Sequence, residues 1–220
     1  DEIGVLAENF NEMARSIETG LREGAHVLAE AGTGVGKTFA YLVPALLHLR
    51  GQRKVVISTH TIGLQEQLMD KDIPALRAAL PEVSFRAVLL KGMGNYLCLQ
   101  NMDAVARLDL LEGDDYQRLH FWAAETATGD LSELDFTPAG WGEVCASAES
   151  CRRHECPYYE RCFLYRARRD AAAADVVIVN HALFFSDLAL RSVDPQLSLL
   201  PDYSAVIFDE AHHLEEVASR

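Results

Sequence analysis

The sequence contains no apolar run close to the roughly 20 residues that a membrane-spanning helix needs, and it has no internal repeat or low-complexity tract. Basic residues are scarce: 20 lysines and arginines stand against 33 aspartates and glutamates, a formal net charge of −13. A chain this acidic does not bind nucleic acid through its overall charge, so any such binding requires a local basic patch. These absences exclude a helical membrane protein and a uniformly basic nucleic-acid binder.

The remaining composition is that of a globular α/β protein. Apolar residues make up 49% and charged residues 24% of the 220 positions, enough for one large domain or two small ones with filled cores. Segments that predict buried strands alternate with segments that predict helices, which indicates a doubly wound, mostly parallel sheet. The predicted strands cover residues 26–29, 55–57, 87–90, 175–179 and 205–208. Because the sequence begins with Asp1 rather than Met, we expect it to be part of a longer protein.

A glycine-rich segment lies between the first predicted strand and a predicted helix at 39–43. It reads Glu-Ala-Gly-Thr-Gly-Val-Gly-Lys-Thr over residues 30–38. In such a loop, backbone N–H groups and the positive end of the following helix bind phosphates. Lys37 would contact the β- and γ-phosphates, and the Thr38 hydroxyl would hold Mg²⁺. The segment predicts a nucleoside triphosphate site formed by Ala31, Gly32, Thr33, Gly34, Val35, Gly36, Lys37 and Thr38.

Two adjacent carboxylates, Asp209 and Glu210, follow the last predicted strand. They are costly at the end of an apolar segment unless a cation accompanies them, and a magnesium-bound nucleotide would provide one. Asp209 would then hold Mg²⁺ together with Thr38. Glu210 would orient and deprotonate the water that attacks the γ-phosphate. With Lys37, these carboxylates predict nucleotide hydrolysis.

The cysteines are clustered in a way that favours a bound metal over disulfides. Four of the five fall within 18 residues, and the full set is Cys98, Cys145, Cys151, Cys156 and Cys162. Structural zinc usually takes pairs separated by two to four residues, whereas the gaps that follow Cys151 and Cys156 are four and five residues. A 4Fe-4S cluster is a larger body with four thiolate ligands, which suits wider gaps and one distant ligand. Unligated thiols stay an open alternative, and Cys145 is a candidate bystander.

Two segments contain residue types that contact nucleic acids. Small hydroxyl residues end the second predicted strand, where open α/β sheets bind ligands, so Thr59 and Thr61 are candidates to hold a phosphate backbone. An ordinary helix cap explains them equally well. Residues 151–170 combine six arginines with four aromatic residues, a composition typical of a track for single-stranded nucleic acid. A solvated amphipathic helix has the same pattern.

Together these motifs resemble the XPD/DinG (Rad3-related) family of superfamily 2 DNA helicases, nearest its bacterial DinG/YoaA branch. The matching segments occur in the family's order across nearly the whole chain. They are residues 30–38, Ser-Thr-His-Thr at 58–61, Lys-Gly-Met-Gly-Asn-Tyr-Leu-Cys at 91–98, the cysteines at 151, 156 and 162, Asn-His-Ala-Leu at 180–183, and Asp-Glu-Ala-His-His-Leu at 209–214.

The resemblance implies an ATP-dependent helicase that moves 5′ to 3′ on single-stranded DNA in the bacterial cytosol, with forked or branched DNA and repair or replication proteins as partners. It implies a RecA-like motor domain (residues 1–92 and 166–220) interrupted by a mainly helical 4Fe-4S domain (93–165). The cluster ligands would be Cys98, Cys151, Cys156 and Cys162. DNA contacts would come from Thr59, Thr61, Lys91, Arg166, Arg168 and Arg169, and His212 would couple the nucleotide site to DNA.

Two departures from the family pattern affect these expectations. Phe10 stands where relatives usually have a glutamine that reads adenine, which leaves the choice of base open. The sequence ends soon after Glu210, so a second motor domain with its arginine finger is missing, and we expect these residues alone to bind nucleotide and DNA weakly without unwinding. The main alternative is a phosphate-loop ATPase with a structural zinc knob that is not a helicase. A DNA-binding iron–sulfur module with a vestigial nucleotide site is the second.

Overall fold

The computed structural model describes residues 2–30, 36–49, 54–108, 114–194 and 197–219. Backbone contacts divide the chain into two compact units, one formed by residues 1–90 with 171–220 and the other by residues 91–170. From the sequence we placed the corresponding boundaries after residues 92 and 165. Among the described residues, no helix has both the length and the apolar character needed to cross a membrane.

The helices and strands alternate along the first unit, and helices dominate the second. The strands are β1 (Val55–Thr59), β2 (Ala87–Leu89), β3 (Val176–Asn180) and β4 (Ala205–Phe208). The helices are α1 (Glu2–Glu23), α2 (Lys37–His48), α3 (Ile62–Gln67), α4 (Ile73–Ala79), α5 (Leu99–Leu108), α6 (Asp114–Glu125), α7 (Trp141–Val144), α8 (Phe163–Ala172), α9 (His181–Val193) and α10 (Leu214–Ala218). A π-helical turn, Leu68–Asp72, joins α3 to α4.

The first unit is built on a parallel sheet with the strand order β2-β3-β1-β4. In the central strand β1, Val55 lies opposite Val176 of β3 on one side and opposite Ala205 of β4 on the other. Every residue of β1 is buried, as expected for β-branched residues covered on both faces of a sheet. The predicted mostly parallel α/β sheet is confirmed. Because the strands are parallel, the segments that follow β1, β3 and β4 leave the sheet at the same edge.

The predicted strand at residues 26–29 is wrong. These residues form no regular element, and the side chains of Val27 and Leu28 are 43% and 94% exposed. A Val27 methyl packs instead on α1, where it lies only 2.2 Å from the place that a Cβ on Gly20 would occupy. A strand requires a hydrogen-bonded neighbour, and within the described part of the chain the sheet has β2 and β4 as its edges. Apolar character alone could not supply that neighbour.

The second unit has its own apolar core. Its named elements within the described ranges are helices and short 3₁₀ turns, and two isolated β-bridges join Tyr96 to Asp130 and Leu97 to Cys145. The buried side chains of this core include Tyr96, Leu97, Leu119, Phe163 and Leu164. The core of the first unit is separate and packs α2, the π-helical turn and α4 against the sheet. Each unit therefore has the buried apolar interior of an independent structural body.

Candidate functional site

The phosphate-binding loop lies partly outside the described residues, because Ala31, Gly32, Thr33, Gly34 and Val35 fall in the gap at 31–35. Their predicted contacts with phosphate stay predictions. The last glycine, Gly36, is described: it has a φ of +76° and accepts hydrogen bonds from Phe39 and Ala40. Glycine adopts this left-handed backbone without steric cost. Lys37 and Thr38 therefore occupy the first turn of α2, where the helix end is electropositive.

Lys37 lies against Glu210, although 173 positions separate them in the sequence. Lys37 Nζ is 3.3 Å from Glu210 Oε1, and each side chain is 31% exposed. The contact brings the start of α2 to the end of β4. The structure thus assembles the lysine of the glycine-rich segment and the carboxylate pair into one site, as their predicted roles require.

Asp209 is held by contacts from two neighbouring elements. Its backbone N–H donates to the carbonyl of Ser58 in β1 at 2.8 Å, and its Oδ2 accepts a hydrogen bond from the Tyr41 hydroxyl of α2 at 3.4 Å. Burial, and then the charge of Glu210, raise the pKa of the Asp209 carboxyl, while Lys37 acts in the opposite direction. An anion in such surroundings favours an additional cation, which fits the predicted magnesium ligand.

Glu210 has an unusual backbone. Its φ and ψ are 56° and 45°, the left-handed region that non-glycine residues rarely enter. The Asp209 side chain helps to hold this turn, since Oδ1 accepts a hydrogen bond from the Glu210 N–H at 3.1 Å. Residues in such conformations persist only where their surroundings fix them, and they cluster at functional sites.

Thr38 interacts with two residues that we did not identify from the sequence. Its side chain interacts with Tyr41 and with Asp72, the last residue of the π-helical turn. Burial raises the pKa of the Asp72 carboxyl and places the pKa of the Tyr41 phenol far above its usual range. Among the residues that the structure describes, which leave out 31–35, the buried Asp72 Oδ2 atom has no hydrogen-bond partner. A third carboxylate therefore lies beside the predicted magnesium site, and π-helical turns are frequent at such places.

A group of histidines lies near the carboxylate pair. The sequence predicted a role, coupling of the nucleotide site to DNA, for His212 alone. His212 Nδ1 is 3.5 Å from Glu210 Oε2, and the rings of His212 and His213 are 4.0 Å apart. His213 stacks on His60 at 3.8 Å. His181 is fully buried and pairs with the Ser58 hydroxyl through Nδ1 at 2.7 Å. The sequence does contain a signal for this group, because the histidines follow β1, β3 and β4, whose ends share one edge of the sheet.

Thr59 and Lys91, which we predicted to contact DNA, are both buried. Thr59 is completely buried, and its hydroxyl donates to the Thr61 carbonyl at 3.2 Å. The Lys91 side chain is 1% exposed and its Nζ lies 2.8 Å from Asp130 and 2.9 Å from Ser132. This burial argues against direct contact of either side chain with DNA. Sequence reasoning identified their position but not the packing that covers them.

Thr61 is exposed, and its hydroxyl accepts a hydrogen bond from the Leu64 N–H at 3.2 Å. It is therefore the N-cap of α3, which is the helix-cap alternative given by the sequence. A cap of this kind leaves the exposed turn available for other contacts.

The three predicted arginines of α8 lie partly over aromatic rings. Arg166 lies 5.9 Å from the ring of Phe163, Arg168 5.3 Å from Tyr165, and Arg169 5.9 Å from Tyr159. Arg166 also donates to the Ala127 carbonyl at 2.6 Å, and Arg169 to the Glu160 carbonyl at 3.4 Å. Arg166 and Arg169 are exposed and Arg168 is half-buried. Each of these arginines therefore lies close to an aromatic ring of the second unit.

The five cysteines are half-buried thiols, and all lie in the second unit. Burial is the main cause that raises the pKa of Cys98, and nearby Cys162 and Cys156 raise it further. Cys156 Sγ lies 3.3 Å from Gln100 Oε1. Cys145 Sγ contacts the Gly142 carbonyl at 3.6 Å. Across the described ranges, no three His, Cys, Asp or Glu side chains converge tightly enough to hold a single metal ion.

Comparison with known proteins gives matches along most of the chain. Residues 12–88 match the family model described as DEAD/DEAH box helicase, and residues 143–220 match the model described as DEAD_2. The chain is 39% identical over 218 residues to the ATP-dependent DNA helicase YoaA of Haemophilus influenzae, an alignment that covers 95% of this chain and 33% of the relative.

Two further relatives differ in their described activity. The ATP-dependent helicase DinG of Mycobacterium tuberculosis is 38% identical over 239 residues, covering 97% of this chain and 35% of the relative. The 3′-5′ exonuclease DinG of Bacillus subtilis is 34% identical over 221 residues, covering 94% of this chain and 22% of the relative. The chain thus spans about one third of the length of the helicase relatives. It belongs to the DEAD/DEAH box helicase family, among the relatives of YoaA and DinG.

Proposed function

We propose that this chain provides the ATP-binding, and part of the DNA-binding, machinery of an ATP-dependent DNA helicase that moves 5′ to 3′ on single-stranded DNA in the bacterial cytosol. The observation that supports this most is the meeting of Lys37 with Glu210, with Asp209 beside it. This arrangement joins a phosphate-binding lysine to the carboxylates that hydrolysis of a phosphoanhydride requires. A DNA substrate is supported by the relatives, since YoaA is named an ATP-dependent DNA helicase and DinG an ATP-dependent helicase.

Each residue of the site has a chemical role in this proposal. Lys37 binds the β- and γ-phosphates, Thr38 and Asp209 would hold Mg²⁺, and Glu210 accepts the proton of the attacking water. When bound, Mg²⁺ neutralises charge on the phosphates. The raised pKa of Asp209, caused first by burial, fits a group that awaits a cation. Tyr41 fixes the orientation of Asp209 through its hydroxyl.

The proposal places DNA contacts separately in each unit. In the first unit they come from the exposed turn at Thr61, and in the second unit from Arg166, Arg168 and Arg169. Arginines stacked on aromatic rings present flat, cationic surfaces for phosphates and bases. Forked or branched DNA and the proteins of repair or replication remain the proposed wider partners.

We further propose that the second unit is the inserted domain and holds a 4Fe-4S cluster on Cys98, Cys151, Cys156 and Cys162. The donor set supports this, because the thiols form no disulfide and Cys98 interacts electrostatically with Cys162 and Cys156. Burial raises the pKa of Cys98, and iron would stabilise its thiolate form. A cluster spans more space than one ion, so its ligands need not converge as the ligands of zinc do. Cys145 lies outside this set in the proposal.

Direct binding measurements test the function. Calorimetry of the 220-residue chain with ATP and Mg²⁺, and fluorescence anisotropy with a single-stranded oligodeoxynucleotide, should both detect binding. Competition by GTP against ATP would show whether Phe10, whose ring lies near the start of α2 at Gly36, permits bases other than adenine. Absence of nucleotide binding would contradict the proposed ATP site. Nucleotide binding without DNA binding, together with stoichiometric zinc, would favour the ATPase with a zinc knob.

A further inference from the structure

The left-handed turn at Glu210 needs surroundings that fix it, and three imidazole rings lie directly behind it. From Glu210 the contacts run outward through His212 at 3.5 Å, then His213 at 4.0 Å, and then His60 at 3.8 Å. The His213 and His60 rings are nearly parallel, with an interplanar angle of 16°. A continuous series of packed side chains therefore joins the carboxylate of the nucleotide site to the segment that follows β1.

His60 lies in a turn whose backbone is tied on both sides. Thr59 bonds the Thr61 carbonyl, and Thr61 caps α3. These two bonds restrain the backbone from which the His60 side chain extends. The stack thus connects the end of β4 to a rigid turn at the end of β1.

His181 supports the same turn from inside the sheet. Its Nδ1 pairs with Ser58, whose carbonyl accepts the Asp209 N–H. The His181 and His60 rings are 6.1 Å apart. Within the part of the chain that the structure describes, His181 Nε2 and His60 Nδ1 are buried without a hydrogen-bond partner, and burial of such a polar atom costs free energy.

We propose that His213 and His60 are positioning residues, with His181 as their buried support: through His212, their stacked rings hold the Glu210 turn and transmit its state to the Thr59–Thr61 turn before α3. This inference rests on the proposed function, in which Glu210 belongs to the ATP site and Thr61 contacts DNA. His213 and His60 touch neither nucleotide nor DNA in the proposal. They act through His212 and Glu210 on one side and through the turn before α3 on the other.

The transmission can be measured without nucleotide or DNA. In the 220-residue chain with ¹⁵N-labelled histidine, Glu210→Gln should shift the imidazole signals of His60, while those of the exposed His120 in the second unit stay unchanged. In a His213→Ala background the same Glu210→Gln substitution should no longer shift His60. His213→Phe, which keeps a flat ring in the stack, should retain the response. Three results would each overturn the proposal. The His60 signals could stay unmoved in the first experiment, or they could shift equally in the His213→Ala background. The response of His60 could also be lost as completely with His213→Phe as with His213→Ala.

A second measurement keeps the proposal testable where His213→Ala does not fold. Nuclear Overhauser contacts between the ring protons of His60 and His213 in the wild-type chain should be observed, and their absence would overturn the stack. Because these experiments need no ligand, failure to bind ATP would reject the proposed function and leave the result on the stack standing. Conversely, normal binding of ATP with no response at His60 would reject the stack alone.

Discussion

Tyr41 and Asp209 meet where α2 passes the end of β4, and the phenol donates a hydrogen bond to the carboxylate at 3.4 Å. Burial raises the pKa of both groups. Glu210 places a second carboxylate beside Asp209, and Lys37 is the cation that contacts this pair. The site therefore concentrates negative charge at a partly buried position, and this excess determines how it should respond to substitution.

Asp209→Asn should stabilise the chain in the absence of ligand. Because folding raises the pKa of Asp209, its charged form is less stable in the folded chain than in the unfolded chain. At neutral pH the charge at this position therefore opposes folding. We expect a melting temperature about 2 °C higher, together with loss of the magnesium-dependent part of ATP binding. Asp70→Asn, at an exposed position of the same unit, is the control for both measurements. A lower melting temperature for Asp209→Asn would show that the carboxylate stabilises the fold instead.

Lys37→Ala should abolish nucleotide binding, because it removes the charge that contacts the phosphates and leaves Glu210 without its partner. Binding of single-stranded DNA should stay within about twofold, a change of less than 0.5 kcal/mol. Calorimetry measures the affinity for ATP, and fluorescence anisotropy measures the affinity for the single-stranded oligodeoxynucleotide. Arg22→Ala, which removes a positive charge from a side chain that is 71% exposed in α1, should change neither. Retained ATP affinity in Lys37→Ala would remove the glycine-rich segment from the proposed function.

Replacing Arg166, Arg168 and Arg169 together by Ala should weaken binding of single-stranded DNA and flatten its salt dependence. Each phosphate contact on a single strand contributes about 0.7 to the slope of log K against log salt, so loss of three contacts should reduce the slope by about 2. ATP binding should be unchanged. The matched triple variant at exposed Arg15, Arg22 and Arg77 removes the same charge from other positions, all in the first unit. Equal slopes for the two triple variants would mean that the α8 face acts only through net charge.

Metal analysis separates the ligand cysteines from the bystander. Protein purified without oxygen should contain about four irons and four acid-labile sulfides per chain, with broad visible absorption. Cys98→Ser should lose most of this iron, since it replaces a buried thiol that interacts with Cys162 and Cys156. Cys145→Ser should keep it. Stoichiometric zinc without sulfide would reject the cluster while leaving the nucleotide site in place.

Acid should destabilise the chain through His181. Burial, followed by the neighbouring His60, lowers the pKa of His181 below its ordinary 6.5, so the unfolded state takes up a proton first and stability falls as the pH drops below about 6.5. His181→Gln should be less stable near neutral pH, because the Ser58 contact changes, yet it should lose less stability on acidification. Denaturant unfolding at several pH values measures both effects. His120→Gln, an exposed substitution, should keep the wild-type pH profile.

The sequence by itself determined the sheet and the chemical type of the site. Short apolar runs rich in β-branched residues are typical of the buried strands of parallel sheets, so the strands that became β1, β2, β3 and β4 could be predicted from composition and spacing. The order of motifs was also sufficient to indicate the helicase family. The segment at 26–29 shows the limit, because an apolar run becomes a strand only when a neighbour is available for its backbone hydrogen bonds.

Tertiary structure decided which side chains face each other. Lys37 contacts Glu210, and His213 stacks on His60, although each pair is far apart in the sequence. The burial of Thr59 and Lys91 likewise could not be read from the residues beside them. Their positions follow from the strand order, which brings the ends of β1, β3 and β4 to one edge. Local residue patterns fix the strands and helices, whereas the contacts between distant segments depend on how those elements pack. Only that packing assembles the site.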